Sequence, residues 1–186
     1  MATVPGPYLF DTSAEGWLAR NRSADIESWL DWYLAHHRIT VSSVTVTERI
    51  RGYSVLWHRS TPQARLGIES ARRAYLSNLA DVVPMDSAIA IVSGEVMGLL
   101  PDPPSPPRRS HRSAETRHDR LARWRFDTII AATALVIGLP LLHNNGVDFE
   151  AIALAITAYP ERFPGLGRLD LVACSEIPFG RTQVPA

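Results

Sequence analysis

The sequence predicts an α/β domain built on a mainly parallel central sheet of about five strands. Two observations carry this. Short apolar or β-branched runs recur along the chain, each bounded by polar residues or by Gly and Pro. Amphipathic segments with helical periodicity separate those runs, and such alternation is the mark of strand–helix–strand crossovers. A third observation concerns function: acids stand directly beyond several of the apolar runs, at the sheet edge where open α/β folds place their sites.

At 186 residues the chain fits one domain with a substantial core. The hydrophobic fraction of 46% is ordinary, and no apolar run reaches membrane-spanning length. The longest, residues 129–142, is interrupted by Gly138 and Pro140. The first residues lack the basic flank and long apolar core of a secretory signal. A single cysteine, Cys174, excludes an intrachain disulfide framework and a cysteine-based zinc site. The cytoplasm is therefore the expected compartment, with no membrane partner. Nineteen basic residues, all arginine, balance nineteen acidic ones, so no net charge drives the whole chain towards nucleic acid. Arginine's planar fork suits phosphate, although genome composition accounts equally well for an all-arginine set.

In chain order, residues 7–10 (PYLF) read as a buried strand that delivers Asp11 at its carboxyl end. Asp11 or Ser13 equally suits the N-cap of a following helix. Residues 25–36 place Ile26, Trp29, Leu30, Tyr33 and Leu34 at helical spacing. Residues 38–44 form the second predicted strand and 45–57 a helix with Glu48 in its first turn. There Glu48 also completes a Thr45-x-x-Glu48 capping box. Residues 62–79 are an arginine-bearing amphipathic helix. Residues 81–85 are a third strand, with Pro84 marking its end or a sheet edge. Residues 86–100 are a helix capped by Asp86 or Ser87.

Residues 101–125 break the alternation. Five prolines in the first seven residues forbid a helical start, and the segment turns helical from about Ser113 or Ala114. Between Arg108 and Arg125 seven arginines face only Glu115 and Asp119, a net of about five positive charges. Two readings fit: a solvated face, or an arm that contacts a phosphate backbone through Arg108, Arg109 and Arg112, with Trp124 or the histidines stacking. Residues 125–149 then run as a helix with Asp127 at the front of its apolar part, a turn at Gly138, and a buried strand over 139–142. A polar loop follows, containing Asn144, Asn145 and Asp148. A helix over 149–159 and a last strand over 169–173 complete the chain.

Asp11, Glu48 and Asp127 thus recur in matching places, and Asn145 and Asp148 arrive at the same edge as a possible outer rim. Carboxylates gathered in one pocket repel one another, and a divalent cation resolves the repulsion. Mg²⁺ or Mn²⁺ suits such oxygen ligands. No Gly-rich phosphate loop, His-Glu-x-x-His or Gly-x-Ser-x-Gly offers a rival chemistry.

Three blocks of residues resemble the PIN-domain family, and within it the VapC-type toxins of bacterial toxin–antitoxin pairs. They are Leu9-Phe10-Asp11-Thr12-Ser13, Val44-Thr45-Val46-Thr47-Glu48, and Asp127-Thr128-Ile129-Ile130-Ala131-Ala132-Thr133-Ala134 followed by Gly138-Leu139-Pro140-Leu141-Leu142. The resemblance spans residues 7 to 175. It implies a three-layer α/β/α sandwich and an endoribonuclease dependent on Mg²⁺ or Mn²⁺, with one or two ions. It further implies that Asp11, Glu48 and Asp127 bind the metal and that a cognate antitoxin blocks the site. Thr12 and Ser13 are placed to hydrogen-bond a ligand or the scissile phosphate. The apolar helices over 25–36 and 62–79 fit a homodimer, which the resemblance also suggests. Two features depart from the pattern. Asn145 stands where many members carry an acid, and the Pro/Arg-rich insertion at 101–125 is longer than the usual connection. Two other readings stay open: a PIN-like module that binds RNA or a partner but cuts poorly, and a phospho-acceptor receiver domain, which the lack of any lysine disfavours.

Overall fold

The computed structural model describes residues 6–79, 81–107 and 115–177. Among them, five parallel strands form one sheet: β1 (Leu9–Phe10), β2 (Thr40–Ser42), β3 (Asp81–Val83), β4 (Leu141–His143) and β5 (Leu171–Ala173). Their spatial order is β3-β2-β1-β4-β5, with Leu9 opposite both Thr40 and Leu141 and Phe10 opposite Val41 and Leu142. Parallel strands need crossovers, and helices supply them here: α1 (Thr12–Arg20), α2 (Ala24–His36), α3 (Ser43–Arg59), α4 (Pro62–Ser77), α5 (Ser87–Leu99), α6 (Arg117–Ile137) and α7 (Gly146–Ala158).

The strands are only two or three residues long, yet their alternation sorts the core into two halves. Leu9 and Leu141 face a cluster with α5, α6 and α7, which contains Ile89, Trp124, Ile130 and Phe149. Phe10, Val41 and Leu142 face the opposite cluster with α1 and α2, which contains Leu18, Trp29 and Tyr33. The result is the expected helix–sheet–helix sandwich. β3 lies at one edge, and all its residues are at least partly exposed, as Pro84 foretells. α4 stands at the periphery: it buries none of its residues and holds to α3 partly by stacking Arg65 on Trp57, 4.1 Å from the ring centroid. No helix among the described residues is long and apolar enough to cross a membrane.

Several expectations are corrected. The second strand ends at Ser42, whose hydroxyl accepts the Thr45 amide at 3.0 Å, so the next helix starts at Ser43 and absorbs Val44. Ser42 is therefore the cap, the Thr45–Glu48 capping box does not form, and Glu48 lies on the second turn. The helix expected from about Ser113 or Ala114 starts at Arg117, because the Thr116 side chain caps it, and it runs unbroken through Asp127 to Ile137. Trp124, a candidate for stacking on bases, is only 1% exposed and donates Nε1–H to the Leu100 carbonyl at 3.0 Å. It belongs to the core because it faces α5, not solvent. α7 begins at Gly146, so Asp148 sits in its first turn and not in a loop.

Candidate metal-binding site

Asp11 follows β1 directly, at the centre of the sheet's carboxyl edge, and also caps α1 by accepting the Ala14 amide at 2.6 Å. The cap and the site are the same residue. Ser13 donates its hydroxyl to both Asp11 oxygens, at 2.9 and 2.7 Å, and accepts the Asn144 amide at 2.9 Å. It thereby ties the loop after β4 to the acid after β1. Thr12 donates to Glu48 Oε2 at 2.5 Å, joining α1 to α3. Both hydroxyls thus orient carboxylates.

Asp127 enters from α6. It is 7% exposed, and its Oδ2 is buried without a hydrogen-bond donor. Burial pushes its pKa well above the ordinary carboxylate range. Glu48, Asp148 and Asp11 push it further, and only Arg123 opposes them. Burial likewise raises Asp11 to about 6, against its bonds from Ala14 and Ser13 and with a further push from Glu48. Asp127 therefore feels the charge of both other acids named from sequence, and Asp11 feels that of Glu48.

The fourth carboxylate beside Asp127 is Asp148, one helical turn beyond Asn145. It is fully buried and already engaged. Ser105 donates its amide at 3.0 Å and its hydroxyl at 2.9 Å, and Arg123 Nη1 donates at 2.8 Å. Asp148 is thus a buried anchor and not an open rim. Asn145 makes only a 3.5 Å contact to Asp148 and no cap bond to α7.

Four residues were missed in the sequence. Arg123 lies one helical turn before Asp127 and bridges the two halves of the acid cluster, 3.8 Å from Asp127 Oδ2. Glu115 grips the same guanidinium through Nε at 3.1 Å and Nη2 at 3.2 Å. The spacing Arg123–Asp127 is an i,i+4 pair and was available as a signal. Ser105 and Glu115 carried none, since only the folded insertion brings them near. Glu15, one turn after Asp11, is raised to about 7 chiefly by burial, although Arg49 at 3.1 Å lowers it.

Within the described part of the arginine-rich insertion, Arg117 and Arg125 are exposed, while Arg120 and Arg123 are half-buried. Arg117 faces Asp102 at 3.6 Å, Arg120 bonds the Pro103 carbonyl, and Arg123 is consumed in the acid cluster. Arg108, Arg109 and Arg112 lie outside the described residues.

Among the described residues, no group of three His, Cys, Asp or Glu side chains is arranged so that it could hold a metal ion. What is present is a partial shell. Asp127 has a buried oxygen that accepts no hydrogen bond, and Asp11 and Glu48 stand close enough to raise its pKa. Carboxylate oxygens are the donor type that Mg²⁺ or Mn²⁺ takes, and Mg²⁺ keeps several waters and needs only one or two carboxylates directly.

No family model and no curated protein matches the sequence. Solved structures do match in fold. A chain of VapBC2 from Rickettsia felis, bound to a DNA fragment from its promoter, is 15% identical with a TM-score of 0.52, covering 89% of this chain and 97% of that one. DNA-bound VapBC from Salmonella typhimurium gives 20% identity and a TM-score of 0.55, covering 89% and 96%. FitAB bound to an IR36 DNA fragment gives 16% and 0.56, covering 90% and 94%. The fold is PIN-like: a five-stranded, all-parallel sheet between helical layers.

Proposed function

We propose that this single PIN-like domain is a metal-dependent endoribonuclease, the toxin of a toxin–antitoxin pair. The observation that carries the reading is Asp127: a buried carboxylate with an oxygen that accepts no hydrogen bond, in the same electrostatic neighbourhood as Asp11 and Glu48. The residues that would hold Mg²⁺ or Mn²⁺ are Asp11 and Asp127, with Glu48 as a further ligand or a base that orients water. When bound, such an ion supplies a water of lowered pKa and stabilises charge developing on a phosphodiester. The chain's own part is positioning. Ser13 fixes both oxygens of Asp11, Thr12 fixes Glu48, and the rigid α6 backbone fixes Asp127. Arg108, Arg109 and Arg112 would contact the RNA backbone or the antitoxin. The fold shared with the VapBC and FitAB assemblies supports a protein partner of the antitoxin kind. A homodimer is supported by exposed apolar residues on the outer helices, Leu34 at 50% and Leu66 at 77%.

Asp127→Asn tests the reading. It keeps the size and burial of the side chain and removes its charge, so cleavage of RNA in Mn²⁺ should fall by more than about 100-fold, beyond the loss typical of a residue that merely supports a ligand. Full cleavage by a folded Asp127→Asn protein would sink the mechanism. The complete engagement of Asp148 favours one alternative, a module that binds RNA or a partner and cuts poorly. Calorimetric Mn²⁺ titration separates the two, because that module would take up no metal at millimolar concentration.

A further inference from the structure

Helices α3 and α4 carry six arginines against two acids, Glu48 and Glu69, a net of about four positive charges on a chain whose total is zero. Four of the six are occupied. Arg49 pairs with Glu15 at 3.1 Å, Arg65 stacks on Trp57, and Arg72 and Arg73 share Glu69 at 3.0 and 3.8 Å. Arg51 and Arg59 are exposed and enter no ion pair or hydrogen bond among the described residues.

These two stand on one stripe of α3. Glu48, Arg51, Val55 and Arg59 are spaced i, i+3, i+7 and i+11, which a helix of about 3.6 residues per turn gathers on one face. The root of the stripe is half-buried Glu48, held at the candidate site by Thr12 at 2.5 Å. From there it climbs into solvent, because α3 buries only Val44 and Thr45, both in its first turn. Helical side chains lean towards the N-terminus, so Arg51 leans towards the turn that carries Glu48. Arg59 lies about 12 Å beyond Arg51 along the axis, at about 1.5 Å per residue. Between them Gly52 keeps the surface low, and a Cβ there would meet nothing within 4 Å.

We infer that this stripe of α3 is a track for the phosphate backbone of an RNA strand, with Arg51 and Arg59 on separate phosphates leading away from the acids. The inference rests on RNA as the substrate and names a second surface that holds it, apart from Arg108, Arg109 and Arg112. Charge complementarity carries it. A polyanion must be held against a cluster of carboxylates that repels it, so fixed positive charge is needed just outside that cluster. An arginine paired with a carboxylate or laid on an aromatic ring offers a phosphate little. Arg51 and Arg59 keep their planar forks free, which is what phosphate contact requires. The exposed residues Asp25, Glu27 and Asp31 make the surface of α2 repel the same strand.

The test is the salt dependence of RNA binding, read by fluorescence anisotropy on a labelled uridine oligonucleotide with EDTA present to withhold metal. For a single strand, each phosphate contact contributes about 0.7 to the slope of log affinity against log salt. Joint Arg51→Gln and Arg59→Gln replacement should therefore flatten the slope by about 1.4. Joint replacement by Lys keeps both charges and should keep the slope. Arg168→Gln removes one charge just before β5, at the opposite end of the sheet from the β2–β3 crossover that contains α3, and should change nothing. Neither arginine of the stripe supports a neighbour, so these replacements leave the fold intact. An unchanged slope after the double Gln replacement would overturn the inference and leave the stripe to a protein partner. A slope that flattens as much in Arg168→Gln, charge for charge, would overturn it too. In both cases cleavage of RNA by the wild type in Mn²⁺ keeps the metal-dependent reading standing. A wild type that binds no RNA even at low salt would overturn the track, and absence of cleavage as well would overturn both.

Discussion

Ser13 shows how one small side chain organises the candidate site. Its hydroxyl donates to Asp11 and accepts from Asn144, so it fixes the acid after β1 and the loop after β4 at once. Its bond also opposes the upward push that burial gives Asp11. Ser13→Ala should therefore weaken Mn²⁺ binding by roughly 10–100-fold, the range for loss of a residue that orients a ligand, while circular dichroism stays unchanged. Unaltered affinity in the calorimeter would show that Asp11 does not need this support. At this scale the sequence was informative about types and poor about partners. Asp11, Glu48 and Asp127 were legible because each follows or enters an element at the strand-end edge. Arg123 was not, because its partners Ser105 and Glu115 are 18 and 8 residues away in the chain, at no spacing that marks a contact. Trp124 was misjudged because a helix in a charged segment still has an inner face.

Among the elements, α6 carries most of the account. It runs 21 residues, from the Thr116 cap to Gly138, and holds Arg123, Trp124 and Asp127 in fixed relation. Its end depends on Gly138, which sits at φ +69° and lets the Leu139 amide reach the Ala134 carbonyl at 3.1 Å. The turn then feeds β4 straight into register with β1. Gly138→Ala meets open space, so its cost is conformational alone, about 1–2 kcal/mol. Urea unfolding should report that loss, and a change below a few tenths of a kcal/mol would show that the turn tolerates a side chain. Element order and type were readable from periodicity and punctuation. Boundaries were less so, because they follow caps: Ser42 displaced Thr45 at the start of α3, and Thr116 set the start of α6 at Arg117 instead of at Ser113 or Ala114.

For the molecule as a whole, a cluster of buried acids makes stability depend on pH and on metal together. Asp11 rises from 3.8 to about 6 and Glu15 from 4.5 to about 7, both chiefly by burial, and Asp127 shifts the same way. Because their folded values are raised, these acids contribute stability that is full below about pH 4 and lost as pH climbs through 6 to 7. His143 acts in the opposite sense, since burial lowers its pKa and it resists charging below 6.5. With three acids against one histidine, the metal-free Tm should fall between pH 5 and pH 8, and Mn²⁺ should restore it at pH 8 far more than at pH 5, where protons hold the carboxylates. A metal-free Tm that rises across that interval would contradict the burial of these charges. The central claim is that Asp127 completes a divalent-metal site with Asp11 and Glu48, and calorimetric Mn²⁺ titration of wild type and Asp127→Asn near pH 7.5 tests it most directly. Saturable binding below millimolar concentration is expected in the wild type, with its loss in a folded Asp127→Asn protein. Absence of binding in the wild type, or equal binding in both, would contradict it.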